Sequence, residues 1–220
     1  MVVLSDRAIR DALSTGDVII RGGEDTHIQN CSVDVTLGEN FYRISPEVQI
    51  LNPWSADHVR NFWSDLRTAS TVTTEEEADL LHLSIGQRYI ILSPGESILG
   101  HTREFIGGSG IVPLDGRERI YVTTMLKARS SMGRSNVTIC RDAGWGDIGY
   151  VSRWTLEITN NNQVASVVLP VGSRIGQIVF LQTTTPDTVY RGKYQTHSEI
   201  DRIMREWTPD QMLPKTHRDR

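Results

Sequence analysis

Two short stretches carry side chains suited to anion binding and proton transfer. The first is "KARSSMGRS", Lys127 to Ser135, where Ser130 and Ser131 lie between Arg129 and Arg134. Hydroxyls, backbone N–H groups and two forked guanidiniums so close together make a donor set for a polyphosphate. The same residues suit a serine-capped helical turn with solvated arginines, and composition leaves both readings open. The second stretch is "DIGYVSRWTLEITNN", Asp147 to Asn161. Ile148, Tyr150, Ser152, Trp154, Leu156 and Ile158 alternate with Val151, Arg153, Thr155, Glu157 and Thr159. That period of two predicts a strand with one buried face, and Glu157 falls on the other face. A carboxylate there is either solvated or faces a pocket in which it moves a proton. Asp147 reads as a turn residue at the strand entry, and Lys193 and Tyr194 in "YRGKYQTH" as surface residues of a C-terminal arm.

The scaffold is a chain of 220 residues, 38% hydrophobic and 23% charged, with a net charge of -4. This size suits one substantial domain with appendages, and the mixed charges argue against a protein that coats nucleic acid. The cysteines Cys31 and Cys140 are far apart and form no CxxC motif, and Cys140 is expected to be a buried strand residue. The N-terminus lacks the pattern of a secretory signal, and no apolar run approaches the roughly 20 residues of a membrane helix. A cytoplasmic, reducing location is the expectation.

"LSDRAIRDALSTGD" predicts an opening helix capped by Ser5 and ended by Gly16, with Ile9, Ala12 and Leu13 on one face. "SVDVTLG" predicts a strand alternating Val33, Val35 and Leu37 with Ser32, Asp34 and Thr36. Val59, Phe62, Trp63 and Leu66 recur at helical spacing and predict a surface helix, followed by a flexible "TVTTEEEAD" segment. From Gln87 onward, β-rich runs alternate with Pro-Gly, Gly-Gly and Asn-rich turns and no long helix intervenes, which predicts an antiparallel barrel or jelly roll. Ile200, Ile203, Met204 and Trp207 restore a helical period in the tail, with Ser198 as its cap.

In chain order, "RSSMGR", "AGWGDIGYVSRWTLEITNN", "LPVGSRIGQIVF" and "YRGKYQ" resemble the dCTP deaminases of the trimeric dUTPase-like fold. "LSDRAIRDAL" and "IQNCSVDVTLG" are similar to that family's first helix and strand, and "LSPGESILG" to its central Pro-Gly turn. The resemblance runs from about Leu4 to Gln195. It implies a mainly β, distorted barrel or jelly roll with a short N-terminal helix and added helical segments. It sets a deaminase-like domain at 1–197, with a helical insertion at about 52–79, against a helical tail at 198–220.

By resemblance the activity is hydrolytic deamination of dCTP to dUTP and ammonia. Glu157 handles the proton of the attacking water, and Ser130 and Arg134 orient that water and the leaving amine. Arg129 and Ser131 hold phosphates, Thr155 sits where the backbone reads the pyrimidine, and Tyr190 and Lys193 close over the triphosphate. Asp147 meets the deoxyribose 3'-hydroxyl. Asp142 in "DAGW" has a similar pattern, but its greater distance from Glu157 in sequence favours Asp147. Mg²⁺ arrives on the substrate phosphates, dTTP inhibits at the same pocket, and the assembly is a homotrimer with sites between subunits.

The zinc-dependent route needs a Pro-Cys-x-x-Cys motif, which this sequence lacks, so the expected chemistry uses no zinc and no other protein-held metal. A dUTPase carries a Gly-rich C-terminal arm and no counterpart of Glu157. "AGWGDIGY" also resembles bifunctional members that continue to dUMP, and a non-catalytic nucleotide-binding module of the same fold is the remaining alternative. Four features depart from the family: the extra "SGIVPLDGRE", the length of 52–79, His197 in place of a glutamine, and the helical tail.

Overall fold

The computed structural model describes residues 2–110, 119–195 and 197–219. The opening helix, Asp6–Thr15, begins where the Ser5 hydroxyl accepts from the Ala8 N–H and ends at Gly16, whose φ of 78° is the left-handed conformation that glycine adopts without strain. Its Ile9 and Ala12 are buried.

Two antiparallel sheets face one another. The first runs Trp145–Gly146, Tyr121–Ala128, Arg174–Thr183, Ser32–Thr36, Ile28–Gln29, with Val2–Val3 added beside Arg174–Thr183. The second runs Val137–Thr138, Val151–Asn160, Ser97–Gly108, Asn40–Arg43, Asp65–Thr68, with Val18–Arg21 beside Ser97–Gly108. A small third sheet joins Val167–Pro170, Arg88–Leu92 and Ser70–Thr71. Trp154, Leu156 and Ile158 from one sheet meet Val33, Val35, Leu126, Ile178 and Phe180 from the other in a single apolar core. This is the mainly β, jelly-roll-like architecture expected from the alternating runs, and the sheets do not close into a barrel.

The insertion differs from its expected form. The expected surface helix spans Ala56–Phe62 and stops there. Leu66 lies on the strand Asp65–Thr68, paired to Asn40–Arg43, and is 46% exposed, so it is no part of an apolar helix face. "TVTTEEEAD" is not a flexible link. It holds Thr71 of the strand Ser70–Thr71 and the first residues of the helix Glu75–Leu81. The Thr74 hydroxyl accepts from the Glu77 N–H while the Glu77 carboxylate reaches back to the Thr73 N–H, a reciprocal cap that satisfies two end donors.

The tail helix spans Ile200–Glu206 and starts at Glu199, without a side-chain cap from Ser198. Met204 stays 38% exposed while Ile203 is buried. Tail and insertion pack on each other, with Tyr42, Leu99 and Met212 forming a second small core with Trp63, Trp207 and Leu213. The Tyr42 hydroxyl donates to the Asp210 carboxylate at 2.6 Å, and the Thr216 hydroxyl donates to the Pro53 carbonyl. Of the extra "SGIVPLDGRE", residues 111–118 lie outside the described residues. Among the described residues no helix is long and apolar enough to cross a membrane.

Candidate active site

Glu157 sits half-buried on Val151–Asn160, with Leu156 and Ile158 on either side pointing into the core. The alternation read in the sequence is therefore real, and it turns the carboxylate away from the core. Glu157 Oε2 accepts the Arg141 backbone N–H at 3.1 Å, and among the described residues no cation pairs with the carboxylate. The donor is held from behind. The Arg141 guanidinium donates to the hydroxyls of Thr159 at 2.6 Å and Ser97 at 2.7 Å. Cys140, next in the chain, is half-buried and follows the Val137–Thr138 strand instead of lying buried within one. Burial first, and then the neighbouring Glu157 charge, push its thiol up to about 11, so it stays protonated and can donate to the carboxylate.

This turn bears on the choice between Asp142 and Asp147. Val137–Thr138 pairs antiparallel with Thr159 and Asn160, so the chain from Cys140 to Asp142 folds back beside Glu157. Asp142 holds a left-handed φ of 60°, an uncommon conformation for a non-glycine residue and one seen at functional sites. It shares a cavity of about 140 Å³ with Lys127, Cys140, Gly144 and Trp145. Asp147 instead lines a different cavity of about 450 Å³ with Tyr190.

The "RSSMGR" block forms the short helix Ser130–Arg134, preceded by Arg129. The serines do not cap it: the N-cap makes no side-chain bond, and both hydroxyls are exposed and unengaged among the described residues. Arg134 is exposed as well and leads into the Val137–Thr138 strand. The sequence reading missed Asp34, which is 2% exposed although it lies on the predicted polar side of its strand. It sits 3.2 Å from Arg174 and 3.7 Å from Arg129, so one buried carboxylate steadies two guanidiniums and leaves a net cation beside the serines. The signal was the one charge in a short strand.

Thr155 is opposite His101 across the strand pair, just after a register break. The break lies between Arg153 and Thr155, where the partner strand carries Thr102–Glu104 against Trp154 alone, an irregularity that loosens the ladder beside the site. Lys193 does not stand free. Its ammonium bonds both oxygens of Asp219 at 2.6 and 2.7 Å. His197 contacts Glu206 at 2.9 Å, and Gln195 is spent on the Val151 N–H and the Gly149 carbonyl. Within one chain, then, the expected residues fall into separate places: Glu157 beside Cys140 and Arg141, Arg129 with Asp34, Asp147 with Tyr190, and Lys193 in the arm. The exposed Ser130, Ser131 and Arg134 are donors suited to phosphate oxygens. Among the described residues no group of three or more His, Cys, Asp or Glu side chains is placed to hold a metal ion.

A family model described as dCTP deaminase-like matches residues 3–183. A "dCTP deaminase, dUMP-forming" of Persephonella marina is 32% identical over 196 residues, covering 88% of this chain and 92% of its own. A "dCTP deaminase" of Halorubrum lacusprofundi is 30% identical over 188 residues, 84% of this chain and 79% of its own. Among solved structures, the 2'-deoxycytidine 5'-triphosphate deaminase from Agrobacterium tumefaciens superposes with a TM-score of 0.52 at 20% identity. That match covers 80% of this chain and 47% of the other, and it bears on the fold alone. With sequence relatives spanning almost the whole chain and the site-bearing strands inside the matched region, this chain belongs to the dCTP deaminase-like family.

Proposed function

We propose that this protein is an enzyme that hydrolytically deaminates dCTP, giving dUTP and ammonia, with Glu157 as its proton-transfer group. The observation that carries the reading is the Glu157 carboxylate itself. It is oriented by one backbone donor, unpaired by any cation among the described residues, and built into the strand of a family whose named members act on dCTP. Glu157 takes a proton from water as the oxygen attacks cytosine C4, then passes protons to the ring and the departing amine, so that water is consumed and ammonia released. Ser130 and Arg134 orient water and amine, and the backbone near Thr155 reads the pyrimidine edge. Arg129, anchored by Asp34, binds phosphate with Ser131, while Tyr190 and Lys193 close the arm over it. Mg²⁺ is carried by the triphosphate and screens its charge.

Because one chain scatters these residues, we assign the complete pocket to a homotrimer in which neighbouring subunits supply the missing parts. Light scattering on active protein tests this, and an active monomer would overturn it. Of the two aspartates, Asp142 directly follows Arg141, whose N–H donates to Glu157. Comparing Asp142→Asn with Asp147→Asn for dCTP KM decides which one holds the sugar hydroxyl.

A second reading, in which the reaction continues to dUMP, is favoured by the dUMP-forming names of the Persephonella and Sulfurihydrogenibium relatives, 32% and 30% identical. Incubation with dCTP and Mg²⁺, followed by chromatographic separation of dCTP, dUTP and dUMP, separates the two. Accumulated dUTP supports deamination alone, dUMP from the first turnovers supports the coupled reaction, and unchanged dCTP overturns both. Its substrate being a free nucleotide, the enzyme is placed in the cytoplasm.

A further inference from the structure

The paired insertion and tail enclose a cavity that the deamination reading does not use. It measures about 210 Å³ and lies between the Ala56–Phe62 helix and the end of the tail. Arg60, Lys215, His217 and Arg218 line it, against one carboxylate, Asp210. That carboxylate is already engaged by the Tyr42 hydroxyl at 2.6 Å. Among the described residues, Arg60, Lys215 and Arg218 form no ion pair. Lys215 is served only by neutral groups: its ammonium donates to the Lys193 carbonyl at 3.2 Å and lies 5.2 Å from the Tyr194 ring centre. His217 Nδ1 is buried without a hydrogen-bond partner.

We propose that this cavity is a second, non-catalytic binding site for a small phosphate anion, inorganic phosphate or pyrophosphate. Three permanent cations around one occupied carboxylate leave positive charge that nothing in the fold neutralises, and a multiply charged oxyanion supplies the missing acceptors. Burial first, and then the Arg218 cation, hold the Lys215 ammonium below its usual pKa against the opposing pull of Asp210, and an anion in the cavity would favour its charged form. The imidazole of His217 adds a fourth polar contact. Size sets the ligand class: pockets for drug-sized ligands run from about 300 Å³ upward, so 210 Å³ excludes a whole nucleotide and admits one or two phosphate groups.

The test is calorimetric titration of the full chain, without nucleotide and at low ionic strength, with inorganic phosphate and separately with pyrophosphate. It is run in an Arg129→Gln background, which weakens the phosphate contact proposed for the substrate site. Binding of either anion, weakened about two- to fivefold by adding Arg60→Gln and further by adding Arg218→Gln, supports the site. Both side chains are exposed, and unchanged thermal melting confirms that the variants fold. Binding that ignores both substitutions, or no saturable binding of either anion, overturns the proposal. Because no dCTP is present, the outcome is independent of whether the deamination reading stands.

Discussion

His101 makes the fold sensitive to acid in a way that can be worked out from its surroundings. The ring is 1% exposed, donates from Nδ1 to the Thr102 carbonyl at 2.8 Å, and accepts at Nε2 from the Asn40 N–H at 3.3 Å. Gly38 lies against it so closely that a Cβ there would overlap the ring. Protonation would set a second donor against the Asn40 N–H, and burial first, with the Arg153 cation adding to it, lowers the pKa from 6.5 to about 4. For a base with a depressed folded pKa, the unfolded chain takes up the proton first. Stability is therefore complete above pH 6.5 and is lost as pH falls from there towards about 4. Integrating between those two pKa values gives a loss of about 2 kcal/mol on going from pH 7.5 to pH 5, with most carboxylates still ionised. Urea unfolding at fixed protein concentration, at pH 7.5, 6 and 5, measures it for wild type and for His101→Gln, which cannot titrate. The variant is expected to be less stable at pH 7.5 but to lose about 2 kcal/mol less over the range. Parallel pH profiles for the two proteins would refute the reasoning.

Glu157→Gln keeps the acceptor for the Arg141 N–H but cannot exchange a proton, so turnover should fall at least about 10²–10⁴-fold while dCTP binding, read by calorimetry, stays within a few-fold. Arg129→Ala should act mainly on KM, roughly ten- to a hundredfold, because a phosphate contact is made in ground and transition states alike and a charge-assisted bond contributes about 1.5–3 kcal/mol. Steady-state kinetics would show the opposite pattern, an unchanged KM with a lowered kcat, if Arg129 acted in the chemical step. Asp219→Asn frees the Lys193 ammonium and should lower dCTP KM about two- to fivefold, the modest effect expected of a partly exposed ion pair; a raised KM would mean the contact orders the arm productively. dTTP should compete with dCTP, since the sugar and phosphate contacts do not read the base, and dCTP turnover indifferent to excess dTTP would count against a shared pocket.

The sequence was most informative where local chemistry and tertiary packing agree. The Ser5 and Gly16 caps bracket a helix whose apolar face is buried, and the alternation around Glu157 survives because one side of that strand packs into the core. Elsewhere tertiary contacts decide. "DLRT" carries no alternation, and it becomes a strand only because Asn40–Arg43 offers an edge. Three consecutive glutamates read as a solvated charge run until the Thr74 and Glu77 cap organises them into a helix. Asp34 looked polar and outward, yet both faces of its strand are covered and two arginines come to it. Sequence separation does not measure distance when an antiparallel pair returns the chain to its start, which is how the Arg141 N–H comes to meet the Glu157 carboxylate.

The insertion and the tail, two separate departures from the family pattern, are one structural event. Neither buries much alone, since Ala56–Phe62 and Ile200–Glu206 are helices of seven residues, too short to hold without packing. Together they share the Tyr42, Leu99 and Met212 core, and the tail extends from there in two directions. Towards the strand that carries Glu157, Trp207 covers Arg153 at 4.7 Å and meets the His101 ring at 4.7 Å, tilted by 53°. Towards the arm, Lys215 and Asp219 grip Tyr194 and Lys193. On the proposed function, the arm meets substrate already tethered at its lysine by a carboxylate. A triphosphate carries more charge than that carboxylate and displaces it at modest cost, because the pair is partly exposed and weak. The tether therefore takes a little from affinity, since the loss of one ion pair is the step that substrate binding has to drive.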